Sequence, residues 1–125
     1  MSDQSATPAP ALPPSSDRLS RVLSTITAQA RRTNLTRTAE LGAALDEAVD
    51  RGLDAVGWAD AERTAHQLAG SAGTFGFDGV SVIARSLERF FADAGATGRP
   101  DPARLAEARA QLERASSQLA DELES

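Results

Sequence analysis

Residues 65–77 read AHQLAGSAGTFGF and contain His66, the single histidine of the chain, followed by Gly70, Gly73 and Gly76 at three-residue spacing. An imidazole can serve as a nucleophile or as a metal ligand. Metal chemistry within this chain is disfavoured, because there is no Cys and no second His to complete a ligand set. The glycines carry the alternative. Each costs a helix roughly 1 kcal/mol relative to alanine, so three of them beside one nucleophile point to a surface kept clear for a group that must approach His66.

The helix carrying this stretch is expected to be capped by Asp54 and to pack through Trp58, Ala61, Ala65, Leu68 and Ala72. At 100° per residue His66 lies about 120° from the centre of that stripe, which turns it outward. Ala59, Glu62, Arg63, Ala69, Gly70 and Gly73 are expected on the same side. The neighbours at i+3, i+4 and i+7 then carry no more than a methyl group, and a partner's concave site can reach over the ring. An exposed imidazole is mostly neutral near pH 7 and keeps one nitrogen lone pair, the form that attacks phosphorus. Glu62, one turn earlier, is expected to hydrogen-bond one ring nitrogen and present the other.

Residues 1–16, MSDQSATPAPALPPSS, hold four of the six prolines and are expected to form a disordered tail ahead of a single domain, 17–125. From Asp17 the spacing of Leu19, Val22, Leu23 and Ile26 predicts a helix that fades near Thr33–Thr36. Thr36 is expected to cap a second helix with Leu41, Leu45, Ala48 and Val49 inside and Gly52 at its end. The third helix holds His66 and closes at Gly76, where a left-handed residue is expected. Asp78 is the expected cap of a fourth, with Val80, Ile83, Ala84, Leu87, Phe90, Phe91 and Ala94 on one face. A loop, AGATGRPD, leads to Asp101 and Pro102, which open a fifth helix striped by Leu105, Ala108, Leu112, Ala115, Leu119 and Leu123.

No segment alternates with period two, so the expected fold is all-α. It is an antiparallel up-down-up-down four-helix bundle, with the helix from Asp17 as an additional N-terminal element covering one end or side. The aromatic residues are expected in the core or at the bundle ends. The net charge of −5 argues against nucleic acid as the main partner. No stretch approaches the ~18 apolar residues of a membrane span, and no basic start precedes an apolar run, so the cytoplasm is the expected location. All thirteen basic residues are Arg, which suggests a GC-rich bacterial genome.

The His66 stretch resembles the signature of the histidine-containing phosphotransfer (Hpt) domain of bacterial multistep two-component relays. The residues that carry the resemblance are Ala65, His66, Leu68, Gly70, Ser71, Ala72 and Gly76, with Val80 and Ile83 leading into RSLERFF resembling the family's next helix. The resemblance implies that His66 is phosphorylated through Nε2 and that Gly70 lets a receiver domain dock. It implies a phosphocarrier and not an enzyme, working with response-regulator receiver domains and a hybrid histidine kinase. Such a carrier is expected to be a monomer without a cofactor of its own, Mg2+ residing on the receiver. Many members carry a Lys three residues after the His, where this chain has Ala69. The nearest candidate cations are Arg63, one turn before the His, and Arg85 and Arg89 on the following helix. Two rival readings stand beside this one. A degenerate Hpt fold acting only as a protein-binding module predicts that His66 is replaceable. A helical-bundle adaptor predicts no acid-labile phosphate and a concentration-dependent mass.

Overall fold

The computed structural model describes residues 14–124, with side chains over 16–121. It contains four helices: α1 (Pro14–Asp50), α2 (Ala55–Thr74), α3 (Asp78–Thr97) and α4 (Pro102–Glu124), and among the described residues no strand. Residues 1–13 of the expected tail, and the side chain of Leu123, lie outside what is described, whereas Pro14–Ser16 already belong to α1.

The helix ends follow from local chemistry. Gly52, Gly76 and Gly98 take positive φ values of 79°, 84° and 73° where α1, α2 and α3 terminate, the conformation that glycine adopts without strain. Asp54 caps α2 by accepting from Gly57 N at 2.8 Å, and Asp101 accepts from Ala103 N at 2.9 Å ahead of Pro102. Asp78 differs from expectation. It is the first residue of α3, and Phe77 occupies the cap position without a side-chain bond. The tight turn after Gly76 explains this: Phe77 N donates back to Ala72 O at 2.8 Å while its carbonyl already accepts from Ser81 N at 2.9 Å. The carboxylate of Asp78 then lies in the first turn, beside the positive end of the helix.

Each helix packs on its neighbours in chain order, and α4 returns to α1; the diagonal pairs do not pack directly. Trp58, near the start of α2, meets Phe90 and Phe91 of α3 at ring distances of 6.4 and 6.3 Å. At the other end of α2, a Cβ on Gly73 would come within 3.3 Å of Ser81 Oγ. Arg109 of α4 pairs with Asp46 of α1 at 2.6 Å, and Arg104 with Asp93 of α3 at 3.2 Å. The core combines Leu41 and Leu45 with the predicted stripes of α2, α3 and α4, including Leu112 and Leu119, so the α4 stripe faces inward; Ile83 and Leu105 are half-buried against it.

The additional N-terminal helix is not a separate element. The two helices expected over 17–52 are one helix of 37 residues, without a break at Thr33–Thr36. Polar side chains in and beside this stretch are bonded without interrupting the helix. Thr36 Oγ1 donates to Arg32 O at 3.3 Å and Thr38 Oγ1 to Leu35 O at 2.7 Å, so neither hydroxyl acts as a cap. Asn34 is fully buried: its Nδ2 donates to Ser71 Oγ of α2 at 3.1 Å and its Oδ1 accepts from Arg37 at 2.8 Å. Nor does the first part of α1 cover the bundle, since Asp17–Ile26 are all exposed. Replacing Asn34 by Ala would leave Ser71 without this partner in a part-buried contact. We expect Asn34→Ala to lose about 1–3 kcal/mol in urea unfolding, with a coupling of about 1 kcal/mol to Ser71→Ala in a double-mutant cycle.

Candidate functional site

His66 lies in the middle of α2, and its side chain is 74% exposed. Its Nδ1 sits 3.0 Å from Oε2 of Glu88, which projects from α3 and is itself 30% exposed. A carboxylate only accepts hydrogen bonds, so this contact holds the proton of a neutral ring on Nδ1 and leaves the Nε2 lone pair directed away from α3. The carboxylate opposite the ring is therefore Glu88, not Glu62. Glu62 is half-buried on the preceding turn of α2, whereas the α2–α3 packing brings Glu88 in from across the interface. The signal for it was the short turn at Phe75–Phe77: two helices joined so closely pair residues nearly equidistant from Gly76, and 66 and 88 are such positions.

The small residues around His66 divide into two kinds. Gly70 is exposed, and a Cβ built there meets no atom within 4 Å. Ala59 is likewise exposed. These two keep the surface beside the imidazole low. Ala69 serves a different purpose from the one expected, whereas Gly73 is exposed, as expected, and also lines the approach of α3. Ala69 is 4% exposed, and its carbonyl accepts from Ser81 Oγ at 2.9 Å. Gly73 is the position where an added Cβ would press on that same serine at 3.3 Å. The face that α2 turns to α3 is wider than the apolar stripe alone suggested, so both residues allow close helix approach.

The candidate cations are also sorted by the structure. Arg63 reaches back to Asp60 at 2.8 Å and not toward His66. Arg85 and Arg89 are exposed on α3, and among the described residues neither makes an ion pair. Arg85 lies one turn from Glu88 toward the α2–α3 turn, the same direction in which Gly70 lies from His66. No group of three or more His, Cys, Asp or Glu placed to hold a metal ion occurs among the described residues, and no described helix is long and apolar enough to cross a membrane.

Compared with models of known families, residues 29–125 match the Hpt domain. The chain belongs to the Hpt domain family. No curated protein and no solved structure matches it. Membership assigns the chain a phosphotransfer-related role in two-component phosphorelay signalling, with response-regulator receiver domains as the class of partner. The matched region includes Arg31 and Asn34 of α1 as well as His66, Glu88 and Gly70.

The Glu88 contact makes the ring tautomer measurable. In nitrogen-15 NMR of His66 at neutral to mildly alkaline pH, we expect the unprotonated signal on Nε2. Glu88→Ala should remove that preference, and Glu62→Ala should retain it.

Proposed function

We propose that this Hpt protein is a phosphocarrier whose nucleophile is Nε2 of His66. The observation that supports this reading is the Glu88 contact on Nδ1 of an exposed imidazole, beside the open surface at Gly70. In the transfer step Nε2 attacks the phosphorus of a receiver's aspartyl phosphate in line. The Nε2–P bond forms as the bond from phosphorus to the aspartate oxygen breaks, and the aspartate leaves as a carboxylate with the electron pair. The ring, now carrying Nδ1–H and an Nε2-phosphoryl group, gains positive charge. Glu88 accepts from Nδ1 throughout and offsets that charge as it develops. Reversal of the same steps returns the group to a second receiver.

On this reading the chain is not an enzyme acting alone. It supplies a positioned nucleophile on a rigid helix, and the receiver supplies the Mg2+ and the remaining stabilisation of the transferring group. The donor is a hybrid histidine kinase or its receiver, and the setting is the cytoplasm. The register of the interhelical contacts supports an antiparallel, up-down-up-down bundle as the scaffold. Arg85 is the cation best placed to meet phosphoryl oxygens in the absence of a Lys at position 69, since Arg63 is engaged by Asp60.

Intact-mass spectrometry after incubation with a phosphorylated receiver tests the reading. Wild type should gain one phosphoryl group that is lost in mild acid, and His66→Gln should gain none; an adduct independent of His66, or none with a panel of receivers, would favour a binding module. Gly70→Leu separates docking from folding. With open space around the new side chain, its stability should stay within about 1 kcal/mol of wild type, while transfer should slow at least about tenfold, equivalent to roughly 1.4 kcal/mol of lost docking.

A further inference from the structure

The first part of α1 carries an apolar stripe that no described part of the chain covers. Leu19, Val22, Leu23 and Ile26 are 58%, 47%, 55% and 40% exposed. Thr27, Ala28 and Ala30 are already half-buried, and side-chain ties to the bundle run from Arg31, whose guanidinium lies 5.1 Å over the Phe77 ring, through Asn34 to the Asp46–Arg109 pair. At 1.5 Å per residue, the run from Pro14 to Ile26 makes an extension of about 20 Å ahead of them. A helix of that length is marginal in water without a partner, and a contiguous exposed apolar surface marks an interaction site. This extension also precedes residue 29, where the match to the Hpt family begins. It is an addition to the shared domain.

Two features identify the occupant. The first is self-complementarity: Leu19-x-x-Val22-Leu23-x-x-Ile26 reads almost alike in both directions about the midpoint between Val22 and Leu23. Two copies running antiparallel set Leu19 of one against Ile26 of the other and Val22 against Leu23, a two-fold contact in which both chains use one patch. The second is charge. The extension, residues 14–26, carries Arg18 and Arg21 against Asp17, whereas residues 38–125 carry eight Arg against sixteen Asp and Glu. Parallel pairing would align Arg18 with Arg18 and Arg21 with Arg21. Antiparallel pairing instead carries each basic tip toward the partner's bundle end. There Asp78 opens α3, and exposed Asp121 lies near the end of α4, which reaches this end of the bundle where Gln118 meets Gly79.

We propose that the α1 extension is a homodimer contact in which two copies pair antiparallel through Leu19, Val22, Leu23 and Ile26. This departs from the monomer expected of such a carrier. The proposal is independent of the phosphocarrier reading: a dimer retaining a His66-dependent, acid-labile phosphate is a carrier, and one without it is an adaptor.

Sedimentation equilibrium of the full chain from roughly 1 µM to 1 mM, the span in which weak complexes dissociate, provides the test. The average mass should rise from 13.1 kDa toward twice that value. Val22→Glu and Leu23→Glu should each hold it at the lower value across the range. Fluorescence of Trp58, the single Trp and a buried one, shows that the bundle of each variant is folded. Orientation is readable because the native chain has no Cys. A mixture of Leu19→Cys and Ile26→Cys chains should form the mixed disulfide on oxidation. Leu19→Cys alone should form little, its two thiols being offset by about 10 Å along the paired helices. A monomeric mass at every concentration, unchanged dimerisation of folded Leu23→Glu, or efficient Leu19–Leu19 cross-linking would overturn the proposal. So would a monomeric chain that binds phosphatidylglycerol vesicles through the stripe, which would assign it to an anionic lipid surface.

Discussion

The close approach of α2 to α3 is the constraint on which the rest depends. At one end of their interface Ala69 and Gly73 let Ser81 sit against the α2 backbone, where its hydroxyl donates to the Ala69 carbonyl. At the other, a Cβ on Gly95 would stand 3.2 Å from Trp58 Cβ. Between these points the two helices are fixed at two places, and the turn at Gly76 holds them in register. Glu88 reaches His66 as a consequence of that register. The hydrogen bond that orients the nucleophile is thus a product of packing between small side chains some distance from it.

The α1 contact uses a different chemistry. A buried amide, Asn34, links α1 to Ser71 and is held by Arg37 of its own helix. Such a link is directional where apolar contacts are not, so it sets how α1 is rotated and shifted against α2. Together with Arg31 over Phe77 it marks where the bundle ends and the extension of α1 begins. The aromatic cluster of Trp58, Phe90 and Phe91 closes the opposite end; Phe90 and Phe91 stand 5.3 Å apart and nearly edge to face.

What the chain offers a partner is spare. One imidazole is raised on a rigid helix, one carboxylate sets its tautomer, and a glycine leaves the adjacent surface open. Rigidity has a purpose in the proposed chemistry, since a nucleophile that must enter another protein's site has to be positioned before the encounter. The exposed stripe on α1 lies on an extension beyond the bundle, so self-association and receiver docking would draw on different parts of α1 and α2.

Much of this was legible in the residues. Helical periodicity defined the stripes of α2, α3 and α4, Gly52 and Gly76 marked two helix ends, and angular arithmetic turned His66 away from the apolar stripe, because all of these depend on neighbours within one or two turns. The continuity of α1 was not legible. Thr36 and Asn34 have the same local propensity to cap a helix or to sit inside one, and only the burial of Asn34 against Ser71 decides between them. Glu88 was missed and Ala69 misread for a related reason: Glu62 and the clear patch were judged from α2 alone, whereas the width of its contact with α3 belongs to both helices. Sequence by itself determined the apolar stripes of α2, α3 and α4 and where the nucleophile stands on its helix. Tertiary structure decided which side chain meets that nucleophile and which apolar stripe remains uncovered, because both depend on the distance and register between elements far apart in the chain.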